Sequence, residues 1–149
     1  MEPPTYLAKI NPHPRDKSIV FDEGPHIYTI NGDSSFKSVT TWNHSHFPHF
    51  NADKIITNMM RSKKWKENKY FGCTRGQIKH LWKQNGIEAS RAGTKMHYDI
   101  ECFYNDMEVE VEEDCKEWQY FEAFEKDHEH LEPYRTEWMV FDEELKLSG

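Results

Sequence analysis

Cysteine is scarce in this chain of 149 residues: Cys73, Cys102 and Cys115 are the only three. An odd number at wide spacing rules against a disulfide framework, and no pair has the two-residue spacing of a zinc knuckle, so reduced thiols are expected. Long apolar runs are missing too. The stretch from Met1 to Pro14 holds Pro3, Pro4, Pro12 and Pro14 but nothing like the apolar centre of a signal peptide, and no later segment approaches the length that spans a bilayer. A soluble, intracellular chain with no membrane partner is the expectation. No internal repeat and no Gly/Ser linker divides the sequence, and its length suits one domain over residues 1–149. Apolar residues make up only 36% against 30% charged; Phe, Tyr and Trp, at 14%, offset this because each buries a large area.

What charge there is, is unevenly spread. The formal net charge is -7, yet Met1 to Tyr98 carries 15 Lys/Arg against 8 Asp/Glu, and Asp99 to Gly149 carries 4 against 18. A polyanion can therefore bind one part of the protein while the other repels it, so overall acidity does not exclude nucleic acid. The most basic stretch, Arg61 to Lys83, holds Arg61, Lys63, Lys64, Lys66, Lys69, Arg75, Lys79 and Lys83 against one acid, Glu67, with Trp65, Tyr70, Phe71 and Trp82 interleaved. Cations neutralise phosphates and exposed aromatic faces stack on unpaired bases, so the mixture suits a nucleic-acid groove. It suits equally a set of core aromatics beneath a solvated lysine face.

The β-rich runs Ser18 to Phe21 and His26 to Ile30, separated by Asp22-Glu-Gly-Pro25, predict a hairpin. Asn31-Gly32 predicts a second turn toward Phe36 to Thr41. A helix is expected after Asn51, with Ile55, Ile56 and Met59 at helical spacing, and another after Thr74, with Ile78, Leu81 and Trp82 on one face. Asn85-Gly86 interrupts that pattern, and a longer helix is expected from Ile87 to Tyr104, placing His97 and Glu101 four apart on one face. The acidic run Glu108 to Asp114 predicts a loop. A helix follows from about Cys115 to Leu131, with Trp118, Phe121 and Phe124 on its buried stripe and Pro133 ending it. Arg135 to Phe141 alternates like a strand, and with Leu145 to Leu147 it predicts a hairpin whose open edge belongs to a larger sheet.

Three features in this order carry a family likeness: Ser38-Val-Thr40 after a hairpin, Gly93-Thr94-Lys-Met-His97-Tyr-Asp-Ile-Glu101 on a helix, and Glu137 followed by Leu145-Lys-Leu-Ser-Gly149. From about Phe21 to Gly149 the chain resembles the PD-(D/E)XK nucleases related to the RecB nuclease domain and to the mitochondrial genome maintenance exonuclease. The resemblance implies an α+β, α/β nuclease-like fold, with helices packed on a mixed, initially antiparallel sheet that is the first part of a restriction-endonuclease-like core. It implies hydrolysis of phosphodiester bonds in DNA processing, repair or recombination, with Mg²⁺ or Mn²⁺ as cofactor and single- or double-stranded DNA as partner. His97 matches the helix histidine that ligates metal in many members, Glu101 the acidic support one turn later, and Glu137 the glutamate preceding the metal-binding aspartate. The aspartate and the Glu-x-Lys of the family would fall after Gly149. The expectation is that these residues alone are inactive, and that a longer form or a second chain completes the site.

Each of these residues has a plainer role as well. His97 can be satisfied by Glu101 or a backbone group, and Glu137 can pair with Arg135 or Lys146 across the hairpin. Ser38 and Thr40 can contact a phosphate, or cap the next helix. Two other functional classes compete. His44, His46 and His49, joined by Cys73 or Cys102, suggest a zinc-stabilised interaction module, since zinc takes four N or S ligands. A non-catalytic nucleic-acid binder or scaffold would use Lys63, Lys64, Lys66, Lys69 and Arg75 and no chemistry.

Overall fold

Local chemistry sets the first sheet. In the computed structural model, which describes residues 4–112 and 114–149, strand β1 (Ile19–Asp22) pairs antiparallel with β2 (Ile27–Ile30), the β-branched and aromatic runs anticipated above. Asn31 and Gly32 follow with φ of 49° and 86°. Two successive left-handed residues are what an Asn-Gly turn supplies, glycine paying no Cβ penalty there. The turn returns Asp33 to Ile30 through two backbone hydrogen bonds of 2.9 Å.

The chain is mixed α+β, and it divides into two compact units: the segment up to Phe47 together with Met96–Gly149, and Pro48–Lys95. In the first unit the strands make two small sheets rather than one. Beside the β1–β2 hairpin, β3 (Lys37–Ser38), β4 (Phe141–Asp142) and β5 (Leu147–Ser148) form a mixed sheet in the order β3-β5-β4, with β5 parallel to β3 and antiparallel to β4. Gly149 extends this pairing through hydrogen bonds of 2.8 and 3.0 Å with Val140. Ile19, Ile30 and Phe36 are buried together, with Tyr28, Met139 and Phe141 packed against them.

The first unit also holds helix α1 (Tyr6–Ile10), a 3₁₀ turn at Pro14–Ser18, and α2 (Val39–His44). Strand geometry therefore stops at Ser38 rather than continuing toward Thr41: the Ser38 hydroxyl accepts the Thr41 amide at 3.1 Å and starts α2. Helix α5 (Lys116–Asp127) is shorter than expected and ends well before Pro133. Of its predicted stripe, Phe121 is buried, Trp118 half-buried and Phe124 exposed. Phe121 packs edge-on to Phe103 and Tyr104, at ring separations of 5.3 and 5.6 Å. The acidic run before it is neither helix nor strand where it is described; Glu113 lies outside the described residues.

The second unit holds α3 (Ala52–Arg61) and the start of α4 (Arg75–Tyr104). Asn51 caps α3, its side chain accepting the Lys54 amide at 2.9 Å. Thr74 and Gln77 make a reciprocal pair of 2.8 and 3.2 Å at the start of α4, a capping box. Ile56 of α3 and Ile78 of α4 are fully buried. Helix α4 runs unbroken through Asn85-Gly86, against the expected interruption. A mid-helix glycine costs about 1 kcal/mol, too little to break a helix whose flanking residues are good formers.

Candidate active site

The last turns of α4 put His97, Ile100, Glu101 and Tyr104 along one side of the helix, as i, i+3 and i+4 spacing requires. These side chains, with residues of α5 and of the segment 131–137, line a cavity of about 470 Å³ in the first unit. Glu137 reaches the same cavity, and its carboxylate Oε1 lies 3.8 Å from His97 Nδ1, both side chains being largely exposed. Burial raises the Glu101 carboxyl above its ordinary pKa, and the nearby charge of Glu137 raises it further. His97, Glu101 and Glu137, separated by up to 40 residues, thus converge.

Two anchors hold Glu137 there, and neither was legible in advance. Asn105, just past the end of α4 and 4% exposed, accepts the Leu7 amide at 2.9 Å through Oδ1. Its Nδ2 donates to the Glu101 carbonyl at 2.8 Å and to the Thr136 hydroxyl at 2.9 Å, fixing the residue before Glu137 against the helix end. The second anchor is Asp16. Arg135 donates to it at 3.0 Å, Trp138 Nε1 donates at 3.0 Å, and Arg135 also donates to the Asn11 carbonyl at 2.9 Å. The Arg135 hydrogen bond leads the causes that lower the Asp16 pKa to about 2.

Together these contacts overturn the strand expected from Arg135 to Phe141. Residues three apart point to opposite faces of a strand, yet Arg135 and Trp138 both grip one carboxylate. The chain must bend between them, and it does so with Glu137 at φ 43°. Nor does Glu137 pair across the hairpin: Arg135 is taken by Asp16, and Lys146 by Asp33 at 2.6 Å.

Acid dominates the cavity wall. Besides Glu101 and Glu137 it carries Glu125 and Glu132, with His97 and His128 as its imidazoles. The Tyr104 hydroxyl donates a short hydrogen bond to Glu125, and burial, with that bond, pushes the phenol up to about 12. His128 Nδ1 donates to the Phe124 carbonyl at 2.9 Å.

The other anticipated residues lie elsewhere. Ser38 is buried and its hydroxyl is spent on the cap of α2, donating as well to Thr41 Oγ1 at 2.8 Å; Thr40 is exposed on that helix. Lys63, Lys64, Lys66 and Lys69 are exposed in the second unit. Arg75 donates to Thr57 Oγ1 at 2.9 Å and to the Asp53 carbonyl at 3.3 Å, which ties α4 to α3.

Mg²⁺ takes a near-octahedral shell of oxygen donors, usually carboxylates with waters and substrate phosphate. Among the described residues no group of three or more His, Cys, Asp or Glu is placed to hold a metal ion. One exposed imidazole and two carboxylates do not by themselves fit Mg²⁺ or Mn²⁺. The histidines His44, His46 and His49 assemble no zinc set either. No described helix is long and apolar enough to cross a membrane. No family model, curated protein or solved structure matches the chain.

Proposed function

We propose that the chain is the first part of a PD-(D/E)XK-type nuclease domain that hydrolyses phosphodiester bonds in DNA. The observation that supports this most is the convergence of His97, Glu101 and Glu137 on one cavity, with Glu137 held in a left-handed bend by Asn105 and Asp16. A non-glycine residue kept at positive φ stores on the order of 1–3 kcal/mol of strain, which the surroundings must sustain, and such residues cluster at functional sites.

In this reading His97 and Glu137 would supply part of the shell of a divalent cation, and the chemistry such an ion would bring is charge neutralisation at a phosphate. The chain's own part is to present the His97 imidazole and the Glu137 carboxylate, 3.8 Å apart, on one cavity wall.

A second reading is favoured by a different observation. The donor set is too small for the metal, while Lys63, Lys64, Lys66 and Lys69 stand exposed and, among the described residues, in no ion pair. A non-catalytic DNA binder or scaffold needs only these lysines.

Mn²⁺-dependent cleavage of end-labelled linear single- and double-stranded DNA separates the two. The chain, assayed alone and extended past Gly149, is compared with His97→Ala and Glu137→Gln variants. Cleavage by either form that both substitutions abolish supports the nuclease. Cleavage indifferent to both removes the site, and salt-sensitive binding without cleavage by either form leaves the scaffold.

A further inference from the structure

The second unit carries a surface that the cavity does not explain. Between α3 and α4 the chain folds into a turn-rich knuckle, residues 62–74. Ser62 accepts the amides of Lys64 and Trp65, through its hydroxyl at 3.2 Å and its carbonyl at 3.0 Å. Asn68 does the same for Tyr70 and Phe71, at 3.0 and 2.9 Å. Gly72, at φ 89°, then turns the chain toward the cap of α4. These internal hydrogen bonds fix the knuckle without using its large side chains.

Those side chains are aromatic and cationic. Trp65 and Phe71 meet edge to face at 5.9 Å, while Tyr70 and Phe50 both pack on Trp82, at 6.0 and 5.9 Å. Phe71 is 53% exposed and Phe50 73% exposed, far more than a core role would leave. The Lys69 ammonium sits 5.0 Å from the Tyr70 ring centre. Exposed apolar side chains occur elsewhere on this surface, Tyr120 and Phe47 among them, but here the rings touch one another and are interleaved with four exposed lysines. A partner with flat π faces and regularly spaced negative charge complements both features at once.

We infer that the knuckle, with Phe50, is a platform on which unpaired bases of a polynucleotide stack while Lys63, Lys64, Lys66 and Lys69 neutralise its phosphates. The platform needs no metal and none of the cavity residues. It rests on the nucleic-acid part of the proposed function and not on cleavage. A duplex hides its base faces in its own stack and leaves only phosphates for the lysines, so the rings discriminate between the two forms.

The test measures binding by the whole chain, in EDTA, of an oligothymidylate of about twelve nucleotides, a length within the range of single-strand sites. The probes beside it are an abasic strand of equal length and the matching duplex. The thymidylate is expected to bind about tenfold more tightly than the abasic strand, the scale that stacking of one base supplies. Phe71→Ala and Phe50→Ala, both at exposed positions, should each remove most of that preference and leave abasic binding unchanged. Tryptophan fluorescence should be quenched by the thymidylate and not by the abasic strand, and Trp65→Phe should abolish most of the quench with little loss of affinity. Equal affinity for the thymidylate and abasic strands, or preference for the duplex, overturns the platform while salt-sensitive binding keeps the nucleic-acid reading. No binding of any probe at low salt overturns both.

Discussion

The two units of this protein are opposites in charge. Pro48–Lys95 carries 11 Lys/Arg against 3 Asp/Glu, and the rest of the chain 8 against 23. They differ as much in how they use polar chemistry. In the acidic unit Asp16, Asn105 and Arg135 are committed to contacts between distant segments, and the carboxylates left over line a cavity. In the basic unit the knuckle satisfies itself locally; its lysines and Phe71 are exposed, while Trp65 and Tyr70 are half-buried. One unit holds side chains from distant segments in a fixed relation to each other, while the other leaves its lysines exposed.

The contrast is sharpest in stability. The basic unit has a narrow core, so Ile56→Ala, at a fully buried site, should cost about 2–5 kcal/mol. Hydrogen exchange should then show α3 losing protection before the β1–β2 hairpin does. Equal loss in both would mean that the units unfold as one, and the comparison would fail at this level. The next effect is in the acidic unit. Asn105→Ala strands the Leu7 amide and the Thr136 hydroxyl, at about 1–3 kcal/mol. It should also release Glu137 from His97, which NMR would detect as changed chemical shifts of the His97 ring; unchanged ring shifts would show that Asp16 suffices to place Glu137.

The elements that could be read from sequence are those governed by a few neighbouring residues. Asn31-Gly32, the Asn51 cap and the Thr74 start act within three or four positions and needed no tertiary knowledge. Asn85-Gly86 looks the same on paper but costs only what one helical turn can absorb. The bend at Glu137 could not be anticipated, because it arises from Asp16, at the other end of the chain, gripping Arg135 and Trp138. The pairing of β5 beside β3 is likewise remote: the Ser148 hydroxyl donates to the Lys37 carbonyl, 111 residues earlier, at 3.4 Å. Such contacts depend on loop closures that periodicity does not encode. The resemblance chose His97, Glu101 and Glu137, but the residues that position them, Asn105 and Asp16, carry no motif.

A third prediction uses acid to test the Asp16 anchor. A carboxyl held down in the folded state contributes stability above its unfolded value, near 3.8, and that contribution is lost as pH falls through about 2. Urea melts at pH 5 and pH 2.5 should differ by about 1 kcal/mol from this group, a figure discounted for its partial exposure. Asp16→Asn should flatten that interval. If the wild type and the variant lose stability in parallel, the anchor carries no measurable charge interaction, and the acidic unit is held by packing and by Asn105.

The smallest effect runs the other way and concerns Glu101. Its carboxyl is raised above the ordinary value, first by burial and then by Glu137, so the ionised form is disfavoured in the folded state. Below the ordinary value of 4.5 both folded and unfolded chains are protonated and the group makes no difference. As pH rises past that value the unfolded chain ionises first, and ionisation then costs the folded state. Glu101→Gln should therefore stabilise the protein at pH 7 by a few tenths of a kcal/mol, roughly the scale of a partly exposed charge interaction, and the gain should vanish at pH 4. A gain of that sign would show that the charge of Glu101 is not there for stability. Glu101→Gln that is neutral or destabilising at pH 7 would leave the cavity as ordinary surface.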